Sequence, residues 1–430
     1  GTNQELLPMN LATHAGLIAG TSVLTIASTG TAGDLDSVID GIINDSATIS
    51  GDDGFEMSGM FAYGFANGYS FIGNDPIEGD TDDFDPGIGE ASIKFDGEVG
   101  GFNWTMQYNF AGGFYEDLNG DTFGTAVLGL LGAADAGLLD LGGGLNDYGF
   151  YHESDAGWGV GMGQFRSWAY KANGVDAENT LAMNNSNIGA FLYAAGGYDD
   201  MVFAWYEADQ FRGGVQFADA TSLTLNNNGT VSADNEFDMH YRVEFIAMGD
   251  WDSTDCFNSA AGSEQTLAFG IGGFESSDTG GLGGVIGTFF GFVGGNGNQV
   301  SHEMMNYDVT YKVGSFGLHA AMGNIELNQT GAGQIGEIDF MTAQASYFVN
   351  DDTQVFATME DIELEANGLG SVDLDLFSGF TVGVNHFYSD NCKATLEYRD
   401  TSIDLDTLNL GNASGGDGDG VLAGQIQFTF

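Results

Sequence analysis

Hydrophobic and polar residues alternate at every second position in many parts of this sequence. The clearest example is residues 102–110, FNWTMQYNF, where aromatic residues and methionine take the even positions and Asn, Thr and Gln the odd ones. A helix would mix these two sets, whereas a β-strand separates them on opposite faces. The length of this segment also matches the roughly 9–11 residues that a tilted strand needs to cross a bilayer. The pattern predicts a strand with one apolar and one polar face.

The same alternation recurs along the chain, for example in residues 237–245, 305–312 and 392–399. A soluble sandwich would bury the apolar faces, but the polar faces carry charges and amides in strand after strand, which favours a membrane barrel. We therefore predict an all-β, transmembrane, antiparallel up-and-down β-barrel of about sixteen strands, an even number as bacterial single-chain barrels require. The predicted strands are 55–66, 89–97, 102–111, 147–153, 158–166, 187–195, 200–208, 236–248, 265–275, 303–313, 316–325, 337–348, 353–361, 376–388, 392–400 and 420–430.

The connections between these strands alternate between short and long. Short periplasmic turns and long external loops are typical of such barrels, so both ends of the barrel are expected in the periplasm. One connection, 249–264, should be a short turn by this alternation and is long. The predicted external loops are 67–88, 112–146, 167–186, 209–235, 276–302, 362–375 and 401–419.

Residues 1–54 precede the predicted barrel domain, which spans 55–430. Residues 11–33 are rich in Ala, Gly, Ser and Thr and resemble a secretory signal, but no basic segment precedes them. A retained periplasmic, lumenal or surface extension is an equal alternative. Within it, residues 34–44 place Leu and Ile at helical spacing, which predicts a short amphipathic helix; a disordered lead-in is the other possibility.

Composition and charge narrow the function. The chain has 70 Gly, 33 Phe and only 3 Pro, and its aromatic residues are interleaved with polar ones. No run of about 18 apolar residues is present, so a transmembrane helix is not expected. Eight Lys and Arg stand against 62 Asp and Glu, a net charge of −54. This charge excludes nucleic acid as a partner and suggests a saline habitat, where ions screen the repulsion.

Candidate chemistry is sparse. None of the six histidines lies in a serine-nucleophile or HExxH context, so we expect no enzyme and no required cofactor. Cys256 and Cys392 could form one disulfide at the periplasmic end, and two free thiols are the alternative. Acidic loop residues could bind Ca²⁺, although a solvated acidic rim is the preferred interpretation. These residues are Asp80, Asp82, Asp83, Asp85, Asp117, Asn119 and Asp121.

Several segments resemble the general porins of Gram-negative bacteria. Residues 55–65 resemble the first strand of that family, 91–108 its second hairpin, 146–166 the hairpin that leads to its third loop, and 388–398 its penultimate hairpin. Phe428 and the C-terminal Phe430 resemble the family's aromatic assembly signal. The resemblance covers 55–430 in outline, and it depends on the order and spacing of motifs that are individually degenerate.

The resemblance implies a homotrimer of sixteen-stranded barrels in outer-membrane lipid and lipopolysaccharide, each with its third external loop folded inward. By strand count that loop is 167–186, so Arg166, Lys171, Asp176 and Glu178 are candidates for the pore constriction. By strand parity, the lumen wall candidates are Lys94, Arg242, Lys312, Lys393 and Arg399. Alternatively, these few cations form ordinary ion pairs with lumenal carboxylates.

The expected function is passive diffusion of small hydrophilic solutes and ions, with cations favoured by the negative charge. A different class of function is also open: a structural surface barrel with a plugged lumen, whose acidic loops pack into an array or bind a partner. A substrate-specific channel is a third possibility.

Overall fold

The computed structural model describes residues 55–67, 84–99, 101–111, 144–175, 180–183, 198–225, 231–254, 257, 263–276, 300–329, 333–366, 372–389, 391–403, 416–417 and 421–430. These residues contain seventeen strands, one of which (β16) has only two residues, so sixteen strands are long. The strands are β1 Phe55–Asn67, β2 Phe84–Val99, β3 Phe102–Ala111, β4 Gly144–Glu153, β5 Trp158–Arg166, β6 Tyr198–Glu207, β7 Phe211–Leu225, β8 Val231–Met248, β9 Ser263–Ser276, β10 Val300–Gly314, β11 Phe316–Gln329, β12 Gly333–Asn350, β13 Thr353–Ala366, β14 Val372–Ser389, β15 Cys392–Ile403, β16 Gly416–Asp417 and β17 Val421–Thr429.

Two 3-10 helices, Lys171–Gly174 and Asp252–Thr254, complete the regular structure of these ranges. No helix in the described part of the chain is long and apolar enough to cross a membrane.

The strands form one closed sheet. Each long strand pairs antiparallel with the next, β15 pairs with β17, and β17 pairs with β1, where Phe61 lies opposite Phe428. At one end the connections are short, as at Ser154–Gly157 and Asp351–Asp352. The predicted all-β, antiparallel up-and-down barrel of sixteen long strands is confirmed.

Side-chain exposure reverses the pattern of a soluble protein. Large apolar side chains point out of the wall and are exposed, including Phe150, Met162, Phe237, Met322 and Tyr347. Polar side chains on the alternate positions point inward and are buried. Burying amides and charges while exposing aromatic rings is unfavourable in water and favourable for a barrel whose outer face contacts lipid. This exposure pattern rules out the soluble sandwich that the sequence pattern alone allowed.

The apolar band on the outer face has the height of a bilayer. On β10 the outward positions from Met305 to Val313 are apolar or aromatic, and Glu303 lies immediately beyond them. On β12 the band runs from Met341 to Val349, with Asp339 beyond it. Each band spans about nine residues, as a tilted transmembrane strand requires. Strands such as β12, with 18 residues, therefore extend past the band at the end that carries the long loops.

One strand was missed by the sequence pattern. The prediction placed residues 209–235 in a long external loop, which is wrong because Phe211–Leu225 is β7. The predicted strand 187–195 lies outside the described residues, and β5 pairs directly with β6. Gly213 and Gly214 interrupt the alternation in β7. A Cβ at Gly214 would collide with the indole of Trp168, so tertiary packing explains this glycine, which resembled a loop signal.

The predicted N-terminal extension, residues 1–54, lies outside the described residues, so its role stays a prediction.

Candidate functional site

The strand register assigns the inner wall of the barrel. Directly paired residues share a face, so Gln216 of β7, His240 of β8, Phe274 of β9 and Met304 of β10 all point inward. From β7 to β17 this face carries polar and charged side chains that are at most 9% exposed. They include Gln216, His240, Arg242, Glu244, Thr266, Asn306, Asp308, Thr310, Lys312, His319, Thr342, Gln344, Gln354, Glu360, Asn385, Lys393, Thr395, Glu397, Arg399, Gln425 and Gln427.

A cluster of five charged side chains, four of them buried, lies on the wall formed by β7, β8 and β10. Arg242 donates to Glu244 over 3.0 Å and to Asp308 over 2.6 Å. Arg212 forms a close ion pair with Glu244, and Lys171 lies 3.3 Å from the same carboxylate. Three cations thus surround Glu244. Burial of these charges is tolerable because each charged group is paired.

The segment that follows β5 is attached to this wall through its backbone. The Gln216 amide accepts from the Trp168 N–H (2.8 Å) and donates to the Arg166 carbonyl (2.9 Å). The Asn306 amide donates to the Ala169 carbonyl over 2.6 Å. A Cβ at Gly272 of β9 would overlap that carbonyl, so glycine is required for this close approach.

Two further contacts hold the start of this segment. Ser167 Oγ and His240 Nδ1 are 2.7 Å apart in a buried hydrogen bond. The Trp168 indole packs edge-on against Phe203 of β6, 5.4 Å between ring centroids. The glycines of β5 leave space for such rings, since a Cβ at Gly159 or Gly161 would collide with Trp205 or Phe203.

The same connection contacts a second wall region, formed by β14 and β15. The Asn385 amide donates to the Leu181 carbonyl over 2.9 Å, and Lys393 Nζ donates to the Thr180 carbonyl over 3.1 Å. Glu397 accepts from the Met183 N–H over 2.8 Å and forms a close ion pair with Arg399. Side-chain groups of the wall thus satisfy buried backbone groups of an irregular segment.

The structure brings several of the predicted site residues together. Lys171 and Arg242 meet around Glu244, whereas Lys393 and Arg399 lie in the second contact region. Lys312 is buried on the inner face of β10.

The side chains of two other predicted residues, Arg166 and Lys94, lie apart from these regions. Arg166 lies 3.9 Å from Asp147 of β4, and Lys94 lies 3.6 Å from Asp96 with almost half of its side chain exposed. Asp176 and Glu178 lie outside the described residues.

Sequence reasoning missed several residues that build these contacts. Arg212 was missed because β7 was taken for a loop. Glu244 and Asp308 share the inward parity of Arg242 and Lys312, so the alternation could have found them. Asn306 and Asn385 resemble other polar wall residues in the sequence, and only their backbone partners distinguish them.

The predicted Cys256–Cys392 disulfide is contradicted, since Cys392 is a buried, free thiol. Cys392 pairs with Phe428 and has the outward parity of Leu396. Cys256 lies outside the described residues, but its neighbours Trp251 and Phe257 pack on inward-facing side chains. Cys392 and these two aromatic residues thus lie on opposite sides of the barrel wall.

The candidate calcium ligands Asp80, Asp82, Asp83, Asp117, Asn119 and Asp121 lie outside the described residues, and Asp85 lies in β2. Within the described ranges, no group of three or more His, Cys, Asp or Glu could hold a metal ion. Calcium at the loops stays a prediction, as does the assembly role of Phe428 and Phe430.

Solved structures with the same fold are outer-membrane proteins. Salmonella typhi OmpF, solved in a complex with daunomycin, is 13% identical with a TM-score of 0.55, over 89% of this chain and 99% of that one. OmpT of Vibrio cholerae is 13% identical with a TM-score of 0.52, over 90% of this chain and 100% of that one. The outer-membrane channel DcaP of Acinetobacter baumannii is 10% identical with a TM-score of 0.52, over 89% of this chain and 100% of that one. No protein-family model and no curated protein matches the sequence. The chain has the porin-type barrel fold.

Proposed function

We propose that this protein is an integral outer-membrane porin and not an enzyme, and that small hydrophilic solutes and ions diffuse passively through its lumen. The observation that carries the proposal is the closed barrel with an exposed apolar outer face and an inner wall of amides, hydroxyls and charges. A polar inner wall supplies hydrogen-bonding partners for water and hydrophilic solutes, as in porins.

The connection after β5 is the proposed constriction. Its two described parts contact β8 and β15, which are seven strands apart in a ring of sixteen and so lie on nearly opposite sides of the barrel. A segment attached to inward-facing residues on both sides would fold inward and cross the lumen. In this proposal Lys171 and Arg242 contribute positive charge to the constriction. Asp176 and Glu178, between the two contact regions in sequence, contribute negative charge.

The passage is expected to be narrow. Wall residues of a wide aqueous channel would be accessible to water, whereas many polar wall residues from β7 to β17 are at most 9% exposed. Yet several inward atoms, such as Thr342 Oγ1 and His319 Nε2, have no hydrogen-bond partner among the described residues. Buried polar atoms of this kind are commonly satisfied by water, which supports a hydrated but restricted lumen.

The same low exposure favours a second candidate function, a surface barrel with a plugged lumen that carries no solute. Its acidic loops would then pack into an array or bind a partner. The two candidates differ in one measurable property, because only the porin conducts ions.

Cation selectivity is the finer proposal. Among the described residues, at least six of the eight basic side chains form ion pairs with carboxylates, so their positive charge is locally neutralised. The excess of 54 negative charges should make the mouth of the pore negative and concentrate cations there.

We also propose that the protein forms a homotrimer in outer-membrane lipid. By analogy with the structure of trimeric OmpT from Vibrio cholerae, the exposed apolar face would contact outer-membrane lipid, including lipopolysaccharide, and two further copies in a homotrimer. Molar mass in detergent, measured by light scattering, tests the oligomeric state.

Single-channel recording in planar bilayers tests the function. We expect discrete steps of low conductance and, in a salt gradient, a reversal potential with the sign for cations. Intact barrels, heat-modifiable on a gel, that give no current would support the plugged barrel. A current whose reversal potential favours anions would agree with the porin function but would refute cation selectivity.

A further inference from the structure

The described part of the connection between β8 and β9 packs against the inner wall of the barrel. It comprises residues 249–254 and 257, and this is the connection that the sequence shows to be too long for a periplasmic turn. Gly249, with φ of +90°, redirects the chain immediately after β8, and this backbone conformation favours glycine. The side chain of Thr266, an inward residue of β9, fills the space beside it.

Trp251 is the first large side chain of the connection and packs on the lumen side. It forms a buried cluster with Ile246 and Ala268, which both have the inward parity of β8 and β9. Its indole N–H donates to the Ala208 carbonyl over 2.8 Å, in the turn between β6 and β7. Thr254 then closes a short helical turn by hydrogen bonds to the Trp251 carbonyl.

Phe257 lies farther around the inner wall, against β11. Its ring centroid is 4.5 Å from that of His319, and both side chains are at most 3% exposed. His319 is the fourth residue of β11, counted from the periplasmic turn, and its Nδ1 is 3.0 Å from Thr310 Oγ1. Trp251 and Phe257 thus contact two regions of the inner wall, at β8–β9 and at β11, near the periplasmic end.

Arg212 joins this connection to the charged cluster. Its guanidinium donates to Thr254 Oγ1 over 3.2 Å, lies 4.6 Å from the centroid of the Trp251 ring, and pairs with Glu244. Glu244 also binds Lys171 of the connection after β5. The Glu244 carboxylate therefore contacts the connection after β5 directly, through Lys171. It also binds Arg212, which in turn contacts the connection after β8.

We infer that Trp251 and Phe257 form a second constriction on the periplasmic side, in series with the proposed constriction after β5, and that Arg212 positions it. This inference rests on the proposed porin function. Trp251 and Phe257 reduce the cross-section with apolar rings, so they would exclude bulky hydrophilic solutes that the charged cluster admits.

The test compares Phe257→Ala with Phe245→Ala, which removes an aromatic ring from the outer face of β8, also near the periplasmic end. Single-channel conductance and swelling of liposomes in sugars of increasing size are measured. We expect Phe257→Ala to raise conductance about 1.5- to 2-fold and admit a larger sugar, since pore width limits both. Phe245→Ala should change neither quantity. If Phe257→Ala has the conductance and the sugar size limit of the wild type, the second constriction is refuted, whereas the porin function is not.

A wild-type barrel without current would overturn the porin function and this inference with it, so the two failures are distinguishable. If Phe257→Ala does not fold, Phe257→Leu, which replaces the ring by a smaller side chain, is measured in the same two assays. We expect a higher conductance and a larger sugar size limit than in the wild type. Values equal to those of the wild type would refute the inference.

Arg212→Lys tests the positioning role. Lysine keeps the charge but cannot reach Glu244 and Thr254 in two directions at once. We expect the sugar size limit to increase as in Phe257→Ala, with cation selectivity unchanged. A size limit equal to that of wild type would contradict the role of Arg212.

Discussion

Lys171 and Glu244 join the connection after β5 to the barrel wall, with 3.3 Å between Nζ and Oε1. Both side chains are only 8% exposed, and Arg212 and Arg242 contact the same carboxylate. Removing the negative charge would leave three cations close together. The structure of the wall therefore depends on Glu244 more than on any one of its cationic partners.

Glu244→Gln should destabilise the barrel by about 3–5 kcal/mol, the usual cost of removing one partner of a buried ion pair. The temperature at which the folded band disappears on a semi-native gel measures this effect. Glu303→Gln, which removes a carboxylate from the exposed outer face, is the matched control and should not destabilise the barrel. Equal melting temperatures for Glu244→Gln and wild type would show that the charges are not coupled.

Asn306→Ala should release the backbone after β5 from the wall. Its amide donates to the carbonyls of Ala169 and Gly272, so the variant leaves two buried acceptors with fewer partners, at a cost of about 1–3 kcal/mol. We expect increased open-channel noise and faster proteolysis after β5. Asn324→Ala, which loses a hydrogen bond to Glu337 instead, should behave as wild type in both assays. Unchanged noise and proteolysis in Asn306→Ala would refute this anchoring role.

Five carboxylates form a row on the outer face, just beyond the apolar band. The strand register places Glu275, Glu303, Glu326, Glu337 and Glu365 directly opposite one another on β9 to β13. Like charges in directly opposed positions destabilise a sheet, and none of the eight basic residues lies in this row.

The melting temperature should therefore rise with NaCl concentration, because salt screens exposed charges. The double variant Glu303→Gln and Glu326→Gln should have a higher melting temperature than the wild type at low salt. Its melting temperature should also depend less on the NaCl concentration. Asp351→Asn combined with Asp352→Asn removes the same charge from a turn at the other end and should have a smaller effect. Equal salt dependence in both double variants would show that the row has no special role.

Cys392 should carry a free thiol in the purified protein. Because its side chain is buried, a maleimide should label it only after unfolding, and without prior reduction. Mass spectrometry of the peptide that contains Cys392 measures the labelling. If labelling requires a reductant, Cys392 forms a disulfide, contrary to the structure.

Several features of the fold follow from the sequence alone. The period-2 pattern determines which residues of β3, β8, β10 and β15 face lipid and which face the lumen. This is because successive side chains of a strand point to opposite sides. The alternation of short and long connections predicts the up-and-down topology, although it assigned β7 to a loop. It also identifies the connection after β8 as unusual, although nothing in the sequence indicates that it folds against the inner wall.

The site depends on tertiary structure instead. In the sequence, Gly214 and Gly272 resemble loop or weak-strand residues. In the folded barrel each leaves space for the segment after β5, so the reason for glycine at these positions is visible only in the tertiary structure. Parity placed Arg242 on the inner face, yet its contact with Asp308 of β10 depends on how the strands are arranged in the folded sheet, which a periodic pattern does not encode. The sequence by itself determined the two faces of the wall, because local geometry sets them. Only the closed sheet decided which inward side chains meet, since those contacts join residues far apart in the chain.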